Sequence, residues 1–153
     1  DSRIAAINPG VNLPDKAMSP VYRSDGSGTT FVFSDYMTKV SPEWAEKIGT
    51  GKSLKWPVGM AAKGNPGVAG VISQTEGSIG YVGSEYAFAM KIQFAQIRNA
   101  AGNFITPNTE SISAAAKGDM PADTRDHQLG RPGCIPDQLF HMDHPVQGAS
   151  LCR

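Results

Sequence analysis

The chain has 153 residues, enough for one domain or one lobe of a larger protein, and its 14 basic and 14 acidic residues give a formal net charge of zero. That balance argues against a broad basic face for nucleic acid or lipid headgroups, and no apolar run reaches the roughly 18 residues of a membrane span. Seventeen glycines and eleven prolines point to many tight turns between short elements, while both cysteines, Cys134 and Cys152, lie near the C-terminus and fix no redox compartment.

Residues 1–20 read as polar and turn-rich, punctuated by Asn8-Pro9-Gly10 and Leu13-Pro14-Asp15. Ser19-Pro20-Val21-Tyr22 reads as a short strand. From Ser27 onward, Phe33, Tyr36, Met37 and Val40 fall at i, i+3, i+4 and i+7, one face of a helix. Ser41-Pro42-Glu43 starts a second short helix carrying Trp44 and Ile48, stopped at Gly49. Ser53 to Pro57 is predicted as a strand and Gly59 to Gly64 as a loop. Asn65-Pro66 is expected to cap a helix with Val68, Val71 and Ile72 on one face, closed by Thr75-Glu76-Gly77. Ser78 to Val82 is a strand candidate, Glu85 to Lys91 a helical turn or two, and Phe94 to Arg98 a strand that turns at Ala101-Gly102-Asn103 into Phe104-Ile105. Asn108-Thr109-Glu110 begins a last helix through Ala114, Ala115 and Ala116, ended at Gly118. Strands alternating with helices predict an α/β chain with a mixed sheet flanked by helices. No internal repeat is visible.

The chemistry is concentrated in Tyr22-Arg23-Ser24-Asp25-Gly26-Ser27-Gly28-Thr29-Thr30-Phe31. A Gly-rich turn opening onto a helix leaves backbone N–H groups without intrahelical acceptors at the positive end of the dipole, an arrangement that binds an oxyanion. Ser27 is placed as the N-cap, and Thr29 and Thr30 add hydroxyls in the first turn. Arg23 offers a planar fork of donors, and Asp25, which would repel an anion alone, is expected to pair with Arg23 and fix that fork. The plainer reading of the same stretch is a turn followed by an ordinary helix cap.

Two competing motifs fail. Gly49-Thr50-Gly51-Lys52-Ser53 resembles the end of a P-loop, but the earlier glycine that pattern requires is Glu46 here, and the segment follows a helix rather than a strand. His127, His141 and His144, with Cys134, Cys152 and Asp143, match no zinc spacing. No Ser-His-Asp arrangement has support, because every histidine lies in the tail. No cofactor or metal is called for.

From Arg23 onward the body resembles the phosphate-binding protein family of the bacterial high-affinity phosphate ABC transporter (the PstS family). The matching blocks are Leu13-Pro14, Arg23 to Phe31, Val40-Ser41-Pro42-Glu43-Trp44, Val58-Gly59 through Lys63-Gly64-Asn65, Gly77 to Val82, and Ala114-Ala115-Ala116, over about residues 4 to 125. The resemblance implies a type II periplasmic binding protein, two α/β lobes closing on one dehydrated phosphate. This chain would be one incomplete lobe, residues 1–125. It also implies that Arg23, Ser27, Gly28 and Thr29 donate to phosphate and that Asp25 braces the arginine. Family members use a carboxylate of the opposite lobe to accept the proton of hydrogen phosphate, which sulfate cannot offer; that carboxylate and the other first-lobe contacts would lie upstream of Asp1. The implied role is capture of inorganic phosphate in the periplasm for ABC permease subunits, not catalysis. Another oxyanion such as sulfate or molybdate is the alternative ligand. A phosphoryl-handling enzyme is the third reading, disfavoured because Asp25 is the one general-base candidate near the motif.

Beyond Arg125 the resemblance stops. Residues 126–153 hold all three histidines and both cysteines without apolar periodicity, which suggests a one-nucleotide frameshift near Arg125–Asp126. Read one base later, Met142 before Asp143 becomes tryptophan, and permitted codons turn His141 to Val146 into Thr-Trp-Ile-Ile-Leu-Tyr, the closing strand the resemblance leads one to expect. An out-of-frame tail without a core-facing pattern is expected to be disordered. A lobe lacking its opening segment and closing strand is expected to be marginally stable or aggregation-prone.

Overall fold

A computed structural model describes residues 1–99, 101–116 and 138–142. Its centre is a sheet of four strands in the order β2-β1-β3-β6, with β1 at Ser19–Arg23, β2 at Met60–Ala62, β3 at Ser78–Gly83 and β6 at Gln138–Met142. β1 runs parallel to both β2 and β3, pairing Val21 with Met60 on one side and with Gly80 on the other. β6 is antiparallel to β3, so the sheet is mixed. A separate two-stranded ribbon joins β4 at Ile97–Arg98 to β5 at Phe104–Ile105.

The connections explain where a ligand can sit. From β1 the chain passes through α2 (Gly28–Val40) and α3 (Pro42–Lys47) to β2 on one side, then through α4 (Gly64–Gln74) back across β1 to β3. Crossovers that run in opposite directions along the sheet, β1 to β2 and then β2 to β3, place their helices on opposite faces. The neighbouring carboxyl ends of β1 and β2, from which the chain leaves for opposite faces, therefore form a topological switch point, the place where open α/β sheets leave a crevice. Arg23 is the last residue of β1.

Each helix packs for a reason legible in its side chains. α2 buries Phe33 and Tyr36, as its spacing predicts, whereas Val40, its last residue, is exposed. α4 buries Val68, Ala69 and Ile72 completely, and these join Val21, Ala62, Val82 and Ile92 in the main apolar core. β3 alternates across the sheet: Val82 faces that core, and Tyr81 turns to α2, where its ring stacks on Phe33 at 4.4 Å between centroids. Gly80 allows α4 to approach, since a Cβ there would lie 2.8 Å from both Ile72 Cδ1 and the Val21 carbonyl oxygen. On the α2 side Trp56 stacks on Tyr22 at 4.9 Å, and Trp44 meets Phe33 edge-on at 5.5 Å, giving an aromatic layer behind the Arg23 turn.

Several predicted elements shift. α1 (Ser2–Ala6) is a short helix, capped by the Asp1 side chain, where only turns were expected. Ser53 to Pro57 is not a strand. Pro57 has no N–H to give a ladder and Trp56 is committed to the aromatic layer, so the strand begins seven residues later, inside the predicted loop, where Met60–Ala62 finds the free edge of β1. Of Phe94 to Arg98, Ile97–Arg98 alone is extended as β4. α5 (Ser84–Met90) ends at Lys91, whose φ of 53° reverses the chain. α6 (Thr109–Ala116) starts from Asn108, which shares three hydrogen bonds with Ser111. Gly118, its expected stop, lies outside the described residues.

Within the tail, Gln138–Met142 forms β6, a departure from the disorder expected over 126–153. Its Gln-Leu-Phe-His-Met sequence has strand-compatible apolar content, and β3 offers an open edge. The reading-frame argument at Arg125–Asp126, together with His127, Cys134, Asp143, His144 and Cys152, lies outside the described residues.

Candidate functional site

The turn after β1 folds around its own ion pair. Arg23 Nε donates to Asp25 Oδ1 at 2.8 Å and Nη2 to Asp25 Oδ2 at 2.6 Å, a side-on bidentate pair two residues apart. The third contact comes from across the sheet, where Nη1 donates to Asn65 Oδ1 at 2.9 Å. The arginine side chain is 12% exposed, so little water competes for its remaining donors. Hydrogen bonding from Arg23, helped by the Gly64 N–H at 3.0 Å, holds the Asp25 carboxyl well below the usual carboxylate range. The same pair raises the Arg23 pKa further, against the opposing effect of burial.

Helix α2 begins at the end of that turn. Ser27 is its N-cap: the hydroxyl accepts from the Thr30 N–H at 3.2 Å, and its own backbone N–H donates to the Lys52 carbonyl at 2.9 Å. Gly28 and Thr29 occupy the first two helical positions, whose N–H groups have no intrahelical acceptor. Gly28 is exposed and Thr29 partly so, and nothing crowds the side of Gly28 where a Cβ would stand. The N-terminus of a helix of 13 residues therefore opens five residues after Arg23, with its first N–H groups free of intrahelical acceptors.

Thr30 corrects one expectation. Its hydroxyl does not face outward but is buried, 2.7 Å from the Tyr81 hydroxyl. Tyr81 also accepts from the Arg23 backbone N–H at 3.3 Å. One phenol thus links the end of β1 to the first turn of α2, fixing the arginine relative to the helix N-terminus. Burial pushes the Tyr81 pKa upward, so the hydroxyl keeps its proton at neutral pH.

The five residues singled out from sequence, Arg23, Asp25, Ser27, Gly28 and Thr29, all lie in this one turn and helix start. Two further residues complete it. Tyr81 stood in a predicted strand with nothing to mark its hydroxyl. Asn65 was read as a helix cap, but α4 has Lys63 at its N-cap without a side-chain cap bond, and Asn65 reaches Arg23 instead. The P-loop-like segment serves packing: the Gly51 N–H donates to Ser34 Oγ at 3.1 Å, tying the loop to α2.

A cluster of one guanidinium, one carboxylate and outward N–H dipoles is close to neutral, so it can accept an anion without a large excess of positive charge. Its dependence on pH follows from Asp25. Because the native carboxyl is depressed, its stabilising effect is fully present above the ordinary value of 3.8 and is lost as pH falls below it. Thermal unfolding measured from neutral to acid pH is expected to show a shallower acid loss for Asp25→Asn than for the parent, with the two curves converging at the lowest pH. Parallel curves would show that the Asp25 charge is not coupled to folding.

Residues 4–126 match the family model described as a PBP superfamily domain. Among curated proteins the chain is 47% identical over 129 residues to the phosphate-binding protein PstS of Xylella fastidiosa, covering 84% of this chain and 35% of that protein. It is 53% identical over 116 residues to PstS of Pasteurella multocida, 76% of this chain and 34% of the other. It is 39% identical over 138 residues to PstS of Methanocaldococcus jannaschii, 84% and 36% respectively. The chain spans about a third of the length of these relatives.

Proposed function

The chain belongs to the PBP superfamily, and from that membership we propose that it supplies one lobe of a binding site for inorganic phosphate, in a substrate-binding protein that serves an ABC-type importer. The observation that carries the reading is the Arg23 fork, held by Asp25 and Asn65 and followed within six residues by a helix start whose first N–H groups, those of Gly28 and Thr29, have no intrahelical acceptor. In this reading Arg23, Ser27, Gly28 and Thr29 donate to the phosphate oxygens. Asp25 keeps the arginine planar and oriented. Hydrogen bonds to a charged group contribute about 1.5–3 kcal/mol each, so several fixed donors can replace the hydration shell of the anion.

Binding rather than turnover is the proposed role. Asp25, the carboxylate nearest the cradle in sequence, accepts from Arg23 through both oxygens and is held ionised, which removes it as a general base. Among the described residues, no helix is long and apolar enough to cross a membrane. The proposed setting is the periplasm, with permease subunits as partners and with the remaining phosphate contacts coming from a second lobe.

Titration calorimetry with phosphate and sulfate tests this reading. The full-length protein carrying this chain is expected to bind phosphate saturably and to discriminate against sulfate. The 153 residues alone are expected to show little or no affinity for phosphate. Micromolar or tighter binding by the 153 residues would refute the requirement for a second lobe. Equal affinity for sulfate, or none for phosphate by the full-length protein, would refute the assigned ligand.

A further inference from the structure

We propose that Asn65 is a positioning residue for the anion-binding fork of Arg23, and that its neutrality is as important as its hydrogen bond. The inference rests on the phosphate reading above. A guanidinium carries five N–H groups in one plane. Asp25 takes one on Nε and one on Nη2, and Asn65 takes one on Nη1. One N–H therefore remains on each Nη, two donors left over for the oxygens of an anion.

Asp25 alone grips one edge of the guanidinium and leaves it free to pivot about that edge. Asn65, on a different element and 42 residues away, holds the plane from a second direction. The neighbouring Gly64 N–H donates to Asp25 Oδ1, so the start of α4 holds the arginine and its counter-ion together. The amide orientation follows from the contact itself, because only Oδ1 can accept from a guanidinium; the amide nitrogen would set donor against donor.

An acceptor of this shape could equally have been a carboxylate. Two carboxylates would leave the arginine overcompensated and the cradle negative, opposing a dianion. An asparagine carbonyl restrains the fork without that charge.

The test uses the full-length protein carrying this chain, with phosphate affinity measured by calorimetry for Asn65→Ala and Asn65→Asp. Asn65→Ala is expected to weaken binding about tenfold, in keeping with the loss of one hydrogen bond to a charged group. Asn65→Asp retains an acceptor for Nη1 and the local fold. It is nevertheless expected to bind more weakly than Asn65→Ala, with a deficit that grows as pH rises and phosphate takes its second charge. A purely structural asparagine would let the aspartate bind like the parent, with the same pH profile. If the parent binds phosphate and both variants stay within about twofold of it, the positioning role is wrong while the phosphate reading stands. If the parent binds no phosphate, both fall together.

Discussion

Arg23→Ala in the full-length protein is expected to abolish phosphate binding across the range calorimetry can follow. The fork has two N–H groups left for an anion, and hydrogen bonds between charged partners contribute about 1.5–3 kcal/mol each, so their removal costs about 3–6 kcal/mol, or between two and four orders of magnitude in affinity. A second effect adds to this. Without its partner, Asp25 remains as a partly exposed, uncompensated carboxylate in the same turn, and its charge opposes an anion.

Arg23→Lys separates charge from geometry. Lysine restores the positive charge but not the planar fork, so it cannot hold both oxygens of Asp25, reach Asn65 and still present two further donors. It is expected to recover only a small part of the lost affinity. Recovery to within about threefold of the parent would mean that the site uses Arg23 as a point charge, and the account of a pre-set fork would be wrong. The backbone bond from Arg23 to Tyr81 does not depend on the side chain, so the thermal midpoints of the ligand-free variants serve as the folding control.

The division between what was legible in the sequence and what was not follows sequence distance. Arg23, Asp25, Ser27, Gly28 and Thr29 lie within seven consecutive positions. Their relations are set by one turn and one helix start, and local chemistry is enough to read them. Asn65 and Tyr81 reach Arg23 across 42 and 58 residues. No spacing rule joins them, because the sheet order β2-β1-β3 is what brings both neighbours to the end of β1. Thr30 was misread for a related reason. A hydroxyl in a first helical turn looks free until the facing strand supplies a phenol.

The same physics accounts for the elements. Long apolar periodicity, as in α2 and α4, survived because burial of a whole face outweighs local preference. Short strands did not. Met60–Ala62 has too few residues for any alternation to register, and its extended form depends on the open edge of β1. Ser53 to Pro57 carried the apolar content of a strand, yet its Trp56 stacks on Tyr22 and its Pro57 has no N–H for a ladder.

Gly59→Ala is expected to be the most damaging small substitution for stability, and it bears on the site because it acts on β1. Gly59 stands at φ +116°, a conformation that L side chains rarely adopt, and an added Cβ would collide with the Pro20 carbonyl oxygen. The obstacle is backbone rather than a movable side-chain end. Relief requires β1 or β2 to shift, three residues from Arg23 and next to the paired Val21 and Met60. Backbone strain of this kind costs on the order of 1–3 kcal/mol, and a forced main-chain displacement about as much again. Together they give about 2–6 kcal/mol, a large part of the 5–15 kcal/mol that usually holds a domain. Gly70→Ala is the matched control. Gly70 lies inside α4 with nothing within 4 Å of an added Cβ and without positive φ. There alanine is expected to raise stability by about 0.5–1 kcal/mol through helix preference alone. Denaturant unfolding of the two variants should therefore move in opposite directions from the parent. If Gly59→Ala unfolds at the parental midpoint, the close passage of β1 over this turn is not a constraint, and the alignment of Arg23 at the strand end must come from its side-chain braces alone.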